Sequence, residues 1–312
     1  MMRYITLDLG TTKSSISLVD GGKVKDSLKA KSTGDAADYK STISAGISEL
    51  LERNGLTESD ITSILATGTM ASAEMGIYPL EHAVAPIGME GIKRTAVTVS
   101  IPEISPVPFF ITRGVKTLDS NGKTTDMMRG EESEIYGFGA GDIEECVYML
   151  MGSHTKMVRT DKDGRIADIS TMLTGELAAA LVTSTILRHS VEFDGCEIDP
   201  EYLSLGYKHA VESSMSEALF KVRVLRNNHG VSASKAYSFF IGAILAGEIG
   251  YVLASGAKRV TVSGNKYLKD AVAMLLAAHT DAEVICIDDE ESESAVSLGL
   301  VRIFETEISK TL

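Results

Sequence analysis

Two short strings, set roughly 140 residues apart, constrain this chain more than any other feature. Leu7-Asp8-Leu9-Gly10-Thr11-Thr12-Lys13 leads through a strand-like stretch to Asp20-Gly21-Gly22-Lys23-Val24. Met149-Leu150-Met151-Gly152-Ser153-His154-Thr155-Lys156 leads the same way to Asp163-Gly164-Arg165-Ile166. Each reads as strand, glycine, polar turn, lysine, strand, glycine turn, strand. A repeat on this scale predicts two related domains facing each other across a cleft, with chance similarity of two hairpins as the competing reading. The length of 312 residues agrees, at about 150 per domain.

The pattern between these strings is that of an α/β chain. Arg3–Leu9, Ser14–Val19 and Lys23–Ala30 read as strands, with Asp20-Gly21-Gly22 as a hairpin turn. Ala37–Asn54 has helical spacing and stops at Gly55, and Ile61–Thr67 reads as a buried strand. Five of the six prolines fall from Pro79 to Pro108, which predicts a long irregular excursion. Further on, Glu145–Met151, Arg259–Ser263 and Ala282–Ile287 read as strands. Helices are expected over Glu176–His189, Met215–Arg226, Ser232–Ala254, Lys266–His279 and Glu291–Ile308. Domain boundaries are expected at 1–141 and 142–312.

Composition narrows the function. Apolar residues make up 44% and charged residues 23%, an ordinary globular balance. The net charge of −13, with no basic run and no Trp, argues against nucleic acid as a partner. The longest apolar stretch, Ala236–Ala254, is interrupted by Glu248 and small residues, so no membrane span is expected. Cys146, Cys196 and Cys286 form no CxxC pair, and the amino terminus lacks a leader pattern; a reducing cytoplasm is expected. An anionic ligand then needs local help from backbone N–H groups, a metal or placed cations.

The repeated turns offer that help. Gly10, Thr11 and Thr12, and Gly152, Ser153, His154 and Thr155, present N–H and hydroxyl groups to phosphate oxygens, with Lys13 and Lys156 as cations. Asp8 beside the first turn makes sense chiefly as a Mg²⁺ ligand acting through water. Tight hairpins with glycine for geometry alone are the bland alternative.

Asp8–Thr12 with its hairpin resembles the first phosphate motif of the sugar kinase, actin and chaperone ATPase superfamily, and Gly152–Lys156 its second. Phe240–Gly247 resembles its small-residue connecting helix, and Val262-Ser263-Gly264-Asn265 its adenosine motif, implicating Gly264 and Asn265 in ATP binding. The fold implied is two duplicated ribonuclease-H-like, actin-like ATPase domains around a nucleotide cleft. Met128-Arg129-Gly130-Glu131-Glu132, Met151–Lys156 and Met172-Leu173-Thr174-Gly175-Glu176-Leu177 together resemble the 2-dehydro-3-deoxygalactonokinase family. That family implies ATP and Mg²⁺ as cofactors and transfer to the 6-hydroxyl of a 2-keto-3-deoxy sugar acid. The amino-terminal third fits less closely: Ser15 and Ser17 stand where the family tends to carry Arg and Trp, and Gly68–Ser72 matches loosely.

The resemblance also distributes roles. Related glycerol and xylulose kinases carry an Asp after a Gly where Gly130-Glu131 stands, which makes Glu131 the expected base; Glu132 is supporting or substrate-side. Arg129 is expected to grip the substrate carboxylate or the transferred phosphate, or to pair with Glu132 or Glu176. Met70 and Ser72 are assigned to the substrate side, and Thr174 to a helix cap. A kinase of another sugar or aldonate, or an actin-like or chaperone-type ATPase without a sugar substrate, are the competing functions. A homodimer is the expected form if the chain self-associates.

Overall fold

The computed structural model describes residues 2–10, 13–31, 36–74, 76–139, 145–193, 195–264 and 266–308. Strand β1 (Arg3–Leu9) shows how its alternation builds two layers. Ile5, Leu7 and Leu9 have no exposed surface and pack with Tyr39, Ile43, Ile47 and Leu50 of helix α1 (Ala36–Arg53). Each such side chain removed from water contributes about 1.5–3 kcal/mol. Tyr4, Thr6 and Asp8 point to the opposite face. β1 pairs antiparallel with β2 (Lys13–Asp20), which pairs antiparallel with β3 (Lys23–Lys31). β4 (Ser63–Gly68) then lies parallel to β1 on its other side.

The proline-rich stretch is ordered, contrary to the expected irregular excursion. It holds β5 (Ala83–Val84), α2 (Met89–Thr95), β6 (Val97–Ile101) and the start of β7 (Ser105–Ile111). Pro106 and Pro108 occupy the outward positions of β7, before its ladder with β4 begins at Ile64↔Phe109. A proline there removes no ladder hydrogen bond, so the strand survives a composition that disguises it. The main sheet runs β3-β2-β1-β4-β7-β6. β8 (Val115–Leu118) and β9 (Thr124–Met128) form a small sheet with β5, and the short helix α3 (Glu131–Gly137) follows.

The second sheet repeats the first. β10 (Cys146–Met151), β11 (Thr155–Thr160) and β12 (Ile166–Met172) open it. Helices α4 (Thr174–Ser184), α5 (Pro200–Glu212), α6 (Met215–Asn227), α7 (Ala233–Ile244) and α8 (Ala246–Ser255) intervene. Next come β13 (Arg259–Gly264), α9 (Lys266–His279), β14 (Glu283–Cys286) and α10 (Asp289–Glu305). The strand order β12-β11-β10-β13-β14 reproduces β3-β2-β1-β4-β7. The register repeats too: Leu9 pairs with Gly68 at the end of β1/β4, and Met151 with Gly264 at the end of β10/β13. The duplicated α/β fold expected from the two strings is therefore present.

The compact units are interleaved rather than consecutive. One comprises Met1–Glu144, Thr160–Ile169 and Glu290–Leu312; the other comprises Glu145–Arg159 and Ser170–Asp289. Helix α10 therefore falls outside the expected 142–312 domain. It covers the second face of β1, where Thr6 bonds Ser297 at 2.8 Å, Tyr4 bonds Glu305 at 2.9 Å and the Tyr4 and Phe304 rings meet edge to face.

Two further expectations are corrected. The single helix over Ser232–Ala254 is two, α7 and α8, bent by 44° at Leu245. Gly242 seats α7 on α5, where a Cβ would overlap the Leu203 carbonyl oxygen; the small residues thus serve packing inside the second unit. Helix α5 itself was not anticipated, although Asp199 caps it through the Tyr202 N–H and Pro200 opens it. No single helix among the described residues is long and apolar enough to cross a membrane.

Candidate active site

In the first unit, three carboxylates gather around one glycine. Asp8, the penultimate residue of β1, is partly buried. Gly130 precedes α3 with φ +106°, a conformation open to glycine, and its missing Cβ faces the Asp8 Oδ1 and Thr67 side chain at 3.5 and 3.8 Å. That turn sets Glu131 and Glu132 on different sides. Glu131 is half-buried, and its Oε2 accepts the Arg129 N–H at 2.9 Å. Glu132 has no exposed surface. Its Oε1 accepts from the Thr67 and Thr112 hydroxyls at 3.0 and 3.2 Å, and its Oε2 from the Gly130 N–H at 2.8 Å. Enclosed in this way it holds the turn and presents no surface to a substrate, against its substrate-side assignment.

The field of the cluster shows in its protonation. Burial, then the charge of Glu131, pushes the Asp8 carboxyl up to about 6. The same two causes push Glu132 up to about 7, against hydrogen bonds that favour its ionised form. Both groups bind protons more tightly folded than unfolded. Their contribution to stability is thus full below the ordinary carboxylate range near pH 4 and is lost as pH rises through about 6 to 7. For Glu132 the span corresponds to something on the order of 3 kcal/mol. The urea midpoint of the wild type should therefore fall more steeply between about pH 4.5 and 7.5 than that of Glu132→Gln. Parallel slopes would mean that Glu132 does not titrate in this window.

Other expected residues fall differently. Arg129 is committed to backbone: its guanidinium donates to the Ala71 and Leu80 carbonyls, the latter at 2.9 Å, and meets His82 Nδ1 at 3.3 Å. It ties Ala71 to Leu80; the charge of Glu132 also acts on it, but no Arg129 ion pair within 4 Å of Glu132 or Glu176 is found among the described residues. Met70 has no exposed surface and belongs to the core with Ile64 and Phe109, so its substrate-side assignment is also corrected. Ser72 is partly buried, and its hydroxyl accepts the Glu74 N–H at 3.3 Å. Beside the first turn, the Gly10 carbonyl accepts from the Tyr39 hydroxyl at 3.4 Å, and the same hydroxyl meets Ser14 and Thr69. Thr11, Thr12 and Asn265 lie outside the described residues, as does the Lys13 side chain.

Ser15 and Ser17 bond with Ser27 at 3.2 and 3.0 Å. With Asp8 and Glu293 they line a cavity of about 830 Å³ in the first unit. Small hydroxyl side chains at these two positions leave that space open.

The second unit carries a different cavity, of about 560 Å³. The exposed Gly152 and Ser153 line it, with Gly175 and Glu176 of α4 and the rings of Phe193, Tyr237 and Tyr267. It is an apolar slot with a polar turn at its rim, suited to a flat ring carrying an anionic tail. Among the other phosphate candidates, His154 Nε2 pairs with Glu176 at 3.2 Å, and Lys156 donates to Thr171 at 2.8 Å. Thr155 is fully buried. Gly264 ends β13 with φ +105°, two residues before the start of α9, which brings Tyr267 to the slot. Thr174 is not the cap: α4 starts on it after Leu173, and its hydroxyl donates to the buried Glu248. Glu248 and Gly175 were missed as site-forming residues. The interruption of an apolar run by Glu248 was the available signal.

Comparison with known proteins agrees across the chain. The family model described as 2-keto-3-deoxy-galactonokinase matches residues 8–303. A curated relative from Rhizobium meliloti (strain 1021), named "Probable 2-dehydro-3-deoxygalactonokinase DgoK1", is 33% identical over 136 residues. The matched segment is 41% of this chain and 43% of the relative, so the chain spans less than half the length of that curated protein. A Sinorhizobium meliloti crystal structure, titled as a candidate 2-dehydro-3-deoxygalactonokinase, superposes with a TM-score of 0.76 at 23% identity, covering 97% of this chain and 98% of that one. The activator of 2-hydroxyisocaproyl-CoA dehydratase from Clostridium difficile, solved with bound ADPNP, gives a TM-score of 0.54 at 15% identity, with 97% and 95% covered. At such identities the two structures establish the fold alone.

Proposed function

The chain belongs to the 2-keto-3-deoxy-galactonokinase family, and on that premise we propose that it transfers the γ-phosphoryl group of ATP to the 6-hydroxyl of a 2-keto-3-deoxy sugar acid. The observation that carries the reading is the grouping of Asp8, Gly130 and Glu131 in the first unit. A half-buried carboxylate held by a backbone N–H, at the start of a helix and beside a second carboxylate, suits a general base for an alcohol.

In the proposed step the 6-hydroxyl oxygen forms a bond to the γ-phosphorus in line with the departing ADP oxygen. Glu131 takes the hydroxyl proton. Glu132 keeps the Gly130 turn in place, and Arg129 ties Ala71, the neighbour of Ser72, to Leu80. Gly152, Ser153 and the aromatic slot are assigned to the nucleotide.

Asp8 fits a magnesium ligand acting through water. It is a hard oxygen donor whose ionisation is opposed by burial and then by the charge of Glu131, and a dication would relieve that opposition. When bound, Mg²⁺ supplies charge neutralisation to the phosphates.

A panel of six-carbon sugar acids, read by coupled ADP detection, tests the proposal. ADP release should rise with 2-keto-3-deoxygalactonate or a near relative and stay at background with the corresponding neutral hexoses. ATP hydrolysis indifferent to every acid would point instead to an ATPase without a sugar acceptor.

A further inference from the structure

Glu248 is the one acid in the first turn of α8, yet only 1% of its surface is exposed. Burying a carboxyl is unfavourable, and an apolar side chain of similar bulk usually suits such a place at least as well. What it gains there is a partner: Thr174, whose hydroxyl donates to its Oε1. Burial raises the Glu248 carboxyl above the usual range, and this hydrogen bond opposes the rise.

Thr174 opens α4, and the next two residues are locked to the β10–β11 turn. At Gly175 a Cβ would overlap the Gly152 carbonyl oxygen and come within 2.8 Å of the Ser153 carbonyl oxygen. The Glu176 N–H donates to that Ser153 carbonyl at 2.9 Å. Gly152, Ser153, Gly175 and Glu176 all line the aromatic cavity. A shift of Thr174 therefore moves one wall of the cavity together with its polar rim.

We infer that Glu248 is a positioning residue for nucleotide binding, holding the first turn of α4 against the Gly152–Ser153 turn through the Thr174 hydroxyl. The inference rests on assigning the cavity to the nucleotide. Its role ends at placement: the carboxyl is buried, does not line the cavity, and acts on the Thr174 and Thr155 hydroxyls.

The test uses the full chain, a nonhydrolysable ATP analogue in calorimetry, and steady-state kinetics. Thr174→Val keeps the shape and removes the donor. It should weaken analogue binding and raise KM for ATP about three- to tenfold, with kcat within about twofold of wild type. Thr174→Ser, which keeps the hydroxyl, and Glu248→Gln, which keeps an acceptor oxygen, should remain near wild type in both. Should Thr174→Val fold poorly, Glu248→Leu carries the same expectation. Unchanged affinity in the valine or leucine variant would overturn the inference. So would equal loss in the serine variant, or a fall in kcat at constant KM. A wild-type chain that binds no analogue would overturn the nucleotide assignment itself, and that failure is separable because it precedes any substitution.

Discussion

Glu131→Gln should lower turnover about 10²- to 10⁴-fold while leaving affinity for ATP nearly unchanged, the loss expected when a general base is neutralised in place. Glutamine keeps the size of the side chain and a carbonyl oxygen to accept the Arg129 N–H, so the turn should survive. Glu132→Gln is the informative control. Its carboxylate satisfies three donors, the Thr67 and Thr112 hydroxyls and the Gly130 N–H, and an amide offers only one acceptor oxygen. At acidic pH that variant should lose up to about 1–3 kcal/mol of stability, a deficit that shrinks as pH rises and Glu132 of the wild type ionises; activity should fall only secondarily. Sugar-dependent ADP release, ATP affinity and urea midpoints on both variants at one pH decide the matter. Near-normal turnover in Glu131→Gln beside severe loss in a folded Glu132→Gln would falsify the assignment. Loss of ATP binding in Glu131→Gln would move that carboxylate to the phosphate side of the chemistry.

Gly264→Ala should be strongly damaging in the second unit. The residue has φ +105°, which L side chains rarely adopt, and its Cβ would overlap the Met151 carbonyl oxygen and sit 2.8 Å from the Met151 carbonyl carbon. Backbone strain and overpacking of this kind together cost about 2–6 kcal/mol. Gly68→Ala should act alike in the first unit, where φ is +73° and the overlap falls on the Leu9 carbonyl oxygen. Gly152→Ala is the contrast. Its Cβ would meet nothing closer than the His154 carbonyl at 3.4 Å, so stability should change by less than about 1 kcal/mol. Chemical denaturation of the three variants checks the ranking; a stable Gly264→Ala would mean that the β10/β13 ends are looser than their register implies.

Much of the fold was legible because its signals are local. The alternation of Arg3–Leu9, the glycine turns and the repeated Gly-polar-Lys strings need only near neighbours to act. The segments that misled were those in which local chemistry and tertiary position disagree. Prolines 106 and 108 read as loop, yet they fill outward positions of β7 where their missing N–H groups cost nothing. The run over Ser232–Ala254 reads as one helix, yet it bends at Leu245 so that α7 follows α5 and α8 delivers Glu248 to Thr174. Within the site, the Arg129–Glu132 string was legible as a motif. The division of labour inside it was not, because Arg129 finds its partners at Ala71 and Leu80, far along the chain.

By itself, the sequence determined the duplicated α/β plan and the two positions from which the proposed chemistry is drawn: Asp8 near the end of one strand and Glu131 opening a helix after a glycine. Those are set by strand periodicity and by a turn that only glycine can make. Tertiary structure decided which of two adjacent glutamates faces outward, which glycines tolerate a methyl group, and that α10 belongs to the first unit. The reason is that burial, overlap and hydrogen-bond partnership depend on what lies across space. Adjacent residues identical in chemistry, such as Glu131 and Glu132, are told apart only by the Thr67 and Thr112 hydroxyls that close over one of them.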